Sequence, residues 1–257
     1  MKFAAFDLEI AKPVKGDDWK AQRPLGISCA AVAVSEQPRG WKHAEDGVWV
    51  WSDKPQLSGG GLNALVTNLA ELAHMGYTIV TWNGAAFDFD ILAEESGEYE
   101  LCAELVLNHV DLMTIVVACR GHYLSLDKAA VGAGVPGKLK SVTLNDGTVH
   151  DQMNGADAPK LWAAGETDAV IEYLKQDAKT TLAVAKAWQK TKRVEWRSNS
   201  RRPQMFSIPS SPAWNNQLPT VQHCLDWSGR HEIDTSWMSN PPSLDEMTAW
   251  ATEKSLD

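Results

Sequence analysis

With 257 residues, 44% of them hydrophobic and 22% charged, the chain can bury a large core and has an ordinary globular composition rather than a disordered one. Its formal charge of −9 argues against broad, non-specific adhesion to a nucleic-acid backbone, but leaves room for a nucleic-acid substrate where divalent cations offset local carboxylates. Cys29, Cys102, Cys119 and Cys224 lack the spacing of a metal knuckle or redox pair and fit a reducing cytoplasmic setting; no run approaches membrane-spanning length, and Asp7 and Glu9 interrupt the apolar N-terminus, so no signal core is expected.

Residues 2–10 predict a strand, 11–26 a loop broken by Pro13, Gly16, Pro24 and Gly26, and 27–34 and 47–51 two further strands. The connections suit an antiparallel meander. Leu62, Leu65, Val66, Leu69 and Leu72 then recur at helical spacing over 61–75. Residues 78–82 return as a strand, a helix opens near Phe87, and a short strand is expected over 107–112. Helices follow at 112–120 and 125–132. The Gly-, Asp- and Asn-rich stretch 133–160 reads as a loop flanking the site. The clearest helix runs from about Thr167, a candidate N-cap, to Lys190. Beyond Trp196 prolines break the pattern, and only 243–253 reads as helical. Six of the twelve tryptophans (Trp188, Trp196, Trp214, Trp227, Trp237, Trp250) lie from residue 188 onward, so this tail is expected to bury indole rings. The expected division is a main α/β domain at 1–194 and an irregular Trp-rich extension at 195–257, packed on that domain or on a protein partner.

Asp7 and Glu9 stand two apart on the first strand, hence on one face. Two carboxylates on a core strand repel each other, and a divalent cation would relieve this; two solvated acids on an edge strand would look the same in sequence. In TWNGAAFDFDIL (81–92) a strand ends, Asn83-Gly84 turns, and Asp88 opens a helix near the strand's carboxyl end, where α/β sheets commonly place their sites. The alternative is an acid that only favours the helix N-terminus. Tyr173 and Asp177, four apart, share a helix face; an amphipathic helix with one boundary tyrosine would also show this.

Together the motifs Asp7-Leu-Glu9, Asn83-x3-Phe87-Asp88 and Tyr173-x3-Asp177 resemble those of DEDD-type 3′→5′ exonucleases. Tyr173 matches the DEDDy subgroup; residue 172, where a histidine would mark the other, is Glu. WNGAAFDFDIL looks like the proofreading domain of family B DNA polymerases. HVDLM (109–113), LSLDKAAVGAGVPGK (124–138), LWAAGETDAVIEYLKQDAKTT (161–181) and DTSWM (234–238) are similar to stand-alone exonucleases related to that domain. The resemblance covers about residues 1–190 well and the tail weakly.

The resemblance implies a ribonuclease H-like α/β fold: a mixed sheet of three antiparallel strands plus parallel strands, flanked by helices. It implies two Mg²⁺ ions, with Mn²⁺ able to substitute, held by Asp7, Glu9, Asp88 and Asp177, Asp7 bridging both. It also implies that Tyr173 orients the attacking water, since a phenol is a poor base at neutral pH. Phe87 is a candidate base-stacking wedge or a core residue. Asn83 either holds the sugar–phosphate or braces its turn. Lys138 is expected to touch phosphate or to lie in solvent. Lys190 and Arg193 belong to a basic run (186–202) that reads as a phosphate track, a solvated helix end or a docking segment. The expected substrate is single-stranded DNA with a free 3′ end. The alternatives are the same chemistry on single-stranded RNA, and a non-catalytic binding module of the same fold.

Overall fold

The computed structural model describes residues 1–16, 18–211 and 214–252. Its centre is a five-stranded sheet made by β1 (Lys2–Ile10), β2 (Ile27–Val34), β3 (Val48–Ser52), β4 (Tyr77–Thr81) and β5 (Val110–Asp111). The order across the sheet is β3-β2-β1-β4-β5. β1 pairs antiparallel with β2, and β2 antiparallel with β3, while β1–β4 and β4–β5 are parallel. Both faces of β1 and β2 are covered, and apart from Asp7 and Glu9 on β1 they are almost wholly apolar, as expected for strands at the middle of a layered α/β domain.

One face packs under α1 (Gly59–His74), α2 (Asp88–Ser96) and α3 (Tyr99–Asn108). Phe6, Leu8, Ile27, Leu65, Leu69, Phe89 and Leu92 share that cluster. The helical spacing read in 61–75 is this buried stripe, and Ser58 caps the helix by accepting from Gly61 N at 3.3 Å. The expected single helix after Phe87 is two. Gly97, at φ +76°, closes α2 in the left-handed conformation that glycine tolerates, and α3 starts two residues later.

The other face lies against α7 (Thr167–Thr191), where Cys29, Ala31, Val170, Tyr173, Leu174 and Ala178 meet. Small residues on β2 let this long helix approach the strands closely. Thr167 does not cap it. Glu166 holds the N-cap position with no side-chain cap bond, and Thr167 is already helical. α4 (Leu112–Arg120) and α5 (Leu126–Ala133) fall where the sequence places them. The stretch 133–160 is more ordered than its composition suggests: it carries the hairpin β6 (Ser141–Thr143) and β7 (Val149–Asp151), and α6 (Ala158–Ala163) begins in it. No helix among the described residues is long and apolar enough to cross a membrane.

The tail is built into the same core. β8 (Arg193–Arg197) and β9 (Pro203–Ser207) form a hairpin, and the expected boundary at 194/195 falls inside β8. α8 (Val221–Asp226) and α9 (Leu244–Thr252) follow. Trp196, Phe206, Leu218, Cys224 and Met247 pack with Val110, Ile115 and Trp188 in one apolar cluster. Val221 N donates to His109 O at 2.9 Å, tying α8 to the lead-in of β5.

Candidate functional site

The acids gather where β1 and β4 end. Ala5 on β1 is level with Val80 on β4, so Asp7 stands beyond the end of β4, next to the chain that turns into α2. Period-2 geometry turns Asp7 and Glu9 to the α7 side. Asp88 is the first residue of α2, and its Oδ1 accepts from Leu8 N, between the two β1 acids, at 3.1 Å. Asp177 sits near the middle of α7, one turn after Tyr173. Glu9, Asp88 and Asp177 are 7%, 4% and 3% exposed, while Asp7 keeps partial access to solvent.

Burial and mutual repulsion show in the acidities. Burial, then the charges of Asp88, Asp177 and Glu9, hold Asp7 well above the ordinary carboxylate range. Glu9 is raised by burial and then by Asp177. Burial lifts Asp88 to about 7, against the acidifying hydrogen bond from Leu8 N. Asp177 is also raised, chiefly by burial, although Lys138 opposes the shift. The cation among these groups is Lys138. Its Nζ lies 2.5 Å from Asp177 Oδ2 and 5.0 Å from the centre of the Tyr173 ring. The expectation of a solvent-facing Lys138 is therefore corrected, because the buried carboxylate draws its ammonium inward. The loop carrying it is held by α7 itself: Gln176 Nε2 and Thr180 Oγ1 donate to Gly137 O at 2.9 and 3.2 Å.

Two buried polar atoms at this place make no hydrogen bond of ordinary geometry, Tyr173 Oη and Asp177 Oδ1. Burial and the nearby Asp177 charge keep the Tyr173 phenol neutral well beyond its usual range, so it can donate a hydrogen bond but cannot act as a base at neutral pH. The donor set, four carboxylates with one orphaned oxygen, suits hard oxygen-seeking cations such as Mg²⁺. As they stand, no three acidic, imidazole or thiol groups among the described residues close around a point as a finished ion cage. Admitting a cation requires Asp177 to release Lys138 and the carboxylates to rotate inward.

The structure separates the remaining sequence candidates. Asn83 enters its turn through the backbone, while its buried side-chain oxygen makes no hydrogen bond of ordinary geometry. The residue has φ +69°, and its N–H donates to Asp111 Oδ1 at 2.9 Å. Gly84 allows the turn to pass over Thr81, because a Cβ there would come within 2.5 Å of the threonine side chain. Phe87 is half-buried and meets Trp19 edge to face, with ring centres 5.0 Å apart. Lys190 and Arg193 are not brought to the acids. Thirteen residues separate Asp177 from Lys190 on one helix, a rise of roughly 20 Å. Arg193 faces solvent and pairs with Glu195 at 3.5 Å.

Sequence reasoning passed over two residues that hold the site together. Asp111 is fully buried and accepts from Asn83 N, Ala85 N and Met113 N at 2.9, 3.0 and 2.8 Å. It thus fixes the turn that presents Asp88 and caps α4 at once. Three converging N–H groups keep its acidity at about 6 despite burial, which is the largest influence and raises it. The D in the HVDLM motif was the available signal. Trp250 on α9 donates its indole N–H to Ala85 O at 2.8 Å, and nothing in the tail's pattern points to that contact. Replacing Asp111 by Ala would leave three buried N–H groups without an acceptor. A loss of about 3 kcal/mol or more is expected in urea unfolding.

The acidities also fix the pH response of the metal-free protein. Asp88, Asp7 and Glu9 have folded values above their unfolded ones, so the folded state binds more protons and stability falls as pH rises through the folded values. Buried His109, lowered to about 4, acts oppositely, but its contribution is complete above the unfolded histidine value of about 6.5. Thermal melts in EDTA should therefore decline between pH 6.5 and 8, and Asp88→Asn should flatten the decline. A melting temperature constant or rising over that interval would contradict the stated acidities.

Sheet order, mixed strand directions and acids at the ends of the central strands define a ribonuclease H-like α/β protein. A model of the ribonuclease H superfamily matches residues 62–189, which include Asp88, Tyr173 and Asp177 and begin after Asp7 and Glu9. The chain belongs to the ribonuclease H superfamily. Among solved structures it is similar to the family B DNA polymerase from the hyperthermophilic archaeon Pyrobaculum calidifontis, with 19% identity and a TM-score of 0.51. That match covers 73% of this chain and 24% of the polymerase, so the chain corresponds to about a quarter of its length. No curated protein matches the sequence at a significant level.

Proposed function

We propose that the chain is a metal-dependent 3′→5′ exonuclease that hydrolyses the terminal phosphodiester of single-stranded nucleic acid, with DNA as the substrate of first choice. The observation that carries this reading is the convergence of Asp7, Glu9, Asp88 and Asp177, three of them buried, with Asp177 Oδ1 and the neighbouring Tyr173 Oη making no hydrogen bond of ordinary geometry. Four carboxylates so placed are costly to the fold alone, and divalent cations would supply the counter-charge they lack.

In this reading Asp7, Glu9, Asp88 and Asp177 would hold two Mg²⁺ ions, or Mn²⁺ in their place, which would supply charge neutralisation and a water nucleophile at neutral pH. Asp7, half-open to solvent, faces the incoming phosphate. Tyr173, neutral and buried, donates a hydrogen bond that orients the attacking water. Lys138 leaves Asp177 when the site is charged with cations and neutralises a non-bridging phosphate oxygen. Phe87, carried beside Asp88 and backed by Trp19, stacks on the terminal base, which is tolerant of sequence. The resemblance of the three motifs to DEDDy exonucleases supports the 3′→5′ polarity. The likeness to a family B polymerase supports the fold on which it depends.

The test is a pair of end-labelled oligonucleotides, DNA and RNA of the same sequence, incubated with Mg²⁺, Mn²⁺ or EDTA. A ladder shortening from the 3′ end with either metal and absent in EDTA is expected. Digestion of RNA alone would move the substrate to RNA, where 2′-hydroxyl contacts decide. No digestion of either, with binding retained, would favour a non-catalytic module.

A further inference from the structure

We infer that the β8–β9 hairpin and the first turn of α5 form a phosphate-binding arm that guides a single strand of nucleic acid into the carboxylate site. The substrate class rests on the nuclease reading above; the placement of the arm rests on the following observations.

The basic run that leaves α7 does not trail away from the molecule. Lys192, at φ +54°, closes the helix, and the chain reverses into β8. On β8 the outward residues are Arg193, Glu195 and Arg197; Val194 and Trp196 face the core. The inward face lies on α5 at Gly132, where a Cβ would come within 1.5 Å of Glu195 O, so only glycine lets the hairpin seat this closely. The seated hairpin points its tip toward the start of α5. Asn199 Oδ1 accepts from Lys128 Nζ at 2.7 Å. Lys128 adjoins Asp127, whose Oδ1 accepts from the N–H of Lys138 at 3.2 Å, and Lys138 reaches Asp177. The tip of the arm is thereby connected, through three consecutive contacts, to the mouth of the carboxylate cluster.

Arg197, Arg201 and Arg202 crowd this tip. All three are exposed and form no ion pair among the described residues. The neighbouring acids are engaged elsewhere: Glu195 with Arg193, and Asp127 with Lys140. The tip itself is built rather than loose. Ser198 N donates to Arg202 O at 2.9 Å, Arg201 N to Ser198 O at 2.8 Å, and Arg202 N to Ser198 Oγ at 3.1 Å. Arg201 is held at φ +60°, a conformation that disfavours any residue with a Cβ. Like charges gathered in a fixed turn repel one another, and in a chain of net charge −9 a surface that merely needed solubility would not concentrate them there. A polyanionic strand provides the missing counter-charge. Arg also suits phosphate by its planar fork of donors.

The experiment compares the full chain with its triple variant Arg197→Gln, Arg201→Gln, Arg202→Gln. Both carry Asp7→Asn to prevent cleavage, and binding of a labelled oligothymidylate of about twelve nucleotides is followed by anisotropy across a salt series with Mg²⁺. Removing three phosphate contacts should weaken binding at low salt by about ten- to a hundredfold and flatten the log–log salt slope by about 2. Hydrolysis of a thymidine p-nitrophenyl phosphate, which cannot reach the hairpin, should be unchanged by the triple substitution in the chain that retains Asp7. Equal affinity and slope in the two proteins, no binding by the parent, or a changed oligomeric state with an unchanged slope would each overturn the arm. The nuclease reading fails separately, if the native carboxylates hydrolyse neither oligonucleotide nor ester with Mg²⁺ or Mn²⁺. Tip-dependent binding under that outcome would leave the arm standing as a nucleic-acid surface.

Discussion

Asp7→Ala is expected to abolish cleavage while leaving the fold intact and its melting temperature in EDTA equal to or above that of the parent. The two effects have one origin. Burial, then the charges of Asp88, Asp177 and Glu9, make Asp7 a weaker acid than usual, so its ionised form works against the folded state. Removing it relieves that repulsion. On the proposed function, the same substitution removes one of the four carboxylates that would hold the cations. Losing several kcal/mol of transition-state stabilisation lowers the rate by roughly 10³-fold or more. The measurements are 3′-end digestion of a labelled strand and thermal melts with and without Mg²⁺. In the parent, Mg²⁺ should raise the melting temperature through binding to the folded state alone, and in Asp7→Ala that increment should shrink. Activity near that of the parent would remove Asp7 from the site. A sharply lowered melting temperature in EDTA would contradict the repulsion on which the assignment rests.

Tyr173→Phe isolates one atom. The ring is fully buried against Val170, Leu174 and the small residues of β2, and that packing survives the change. The hydroxyl makes no hydrogen bond of ordinary geometry and interacts only loosely with Lys138 and Asp177, so stability should change little. If the hydroxyl orients the attacking water, the rate should fall by about 10²-fold, within the range of a single positioned proton-handling group. The apparent affinity for Mg²⁺ should change little. Because the phenol stays neutral far above physiological pH, the parent's alkaline pH–rate limb should not be set by Tyr173, and the variant should keep the same profile at a lower level. An unchanged rate would make Tyr173 a packing residue of α7.

Much of this architecture was legible in the chain. Residues 2–10 and 27–34 are largely apolar runs that read as strands, and Leu62, Leu65, Val66, Leu69 and Leu72 draw the face of α1. The three acidic motifs stand out because each places acids in an otherwise apolar context: on a strand, just after a strand end, and on one face of a long helix. The tail was the opposite case. Arg193-Val194-Glu195-Trp196-Arg197 does alternate with period 2, but its charges read as a basic tract because the apolar half consists of only two residues. Similarly, 141–143 and 149–151 are too short for periodicity to separate a hairpin from a loop.

What the sequence determined by itself was therefore local: which stretches are strands and helices, and which residue types carry oxygen donors at the ends of them. These follow from side-chain period and backbone preference, which act over a few residues. The tertiary structure decided how the parts face one another. Only packing of α7 across β1 sets Asp177 within the electrostatic reach of Asp7 and Glu9 and draws Lys138 in as their counter-ion. Only the return of α9 places Trp250 on Ala85, and only the close contact at Gly132 seats the β8–β9 hairpin on α5. Contacts between residues 71 or 165 positions apart are selected by the free energy of the whole core, in which burial of the tail's indoles and aliphatic groups outweighs the ordering of its backbone, and no local pattern records that balance.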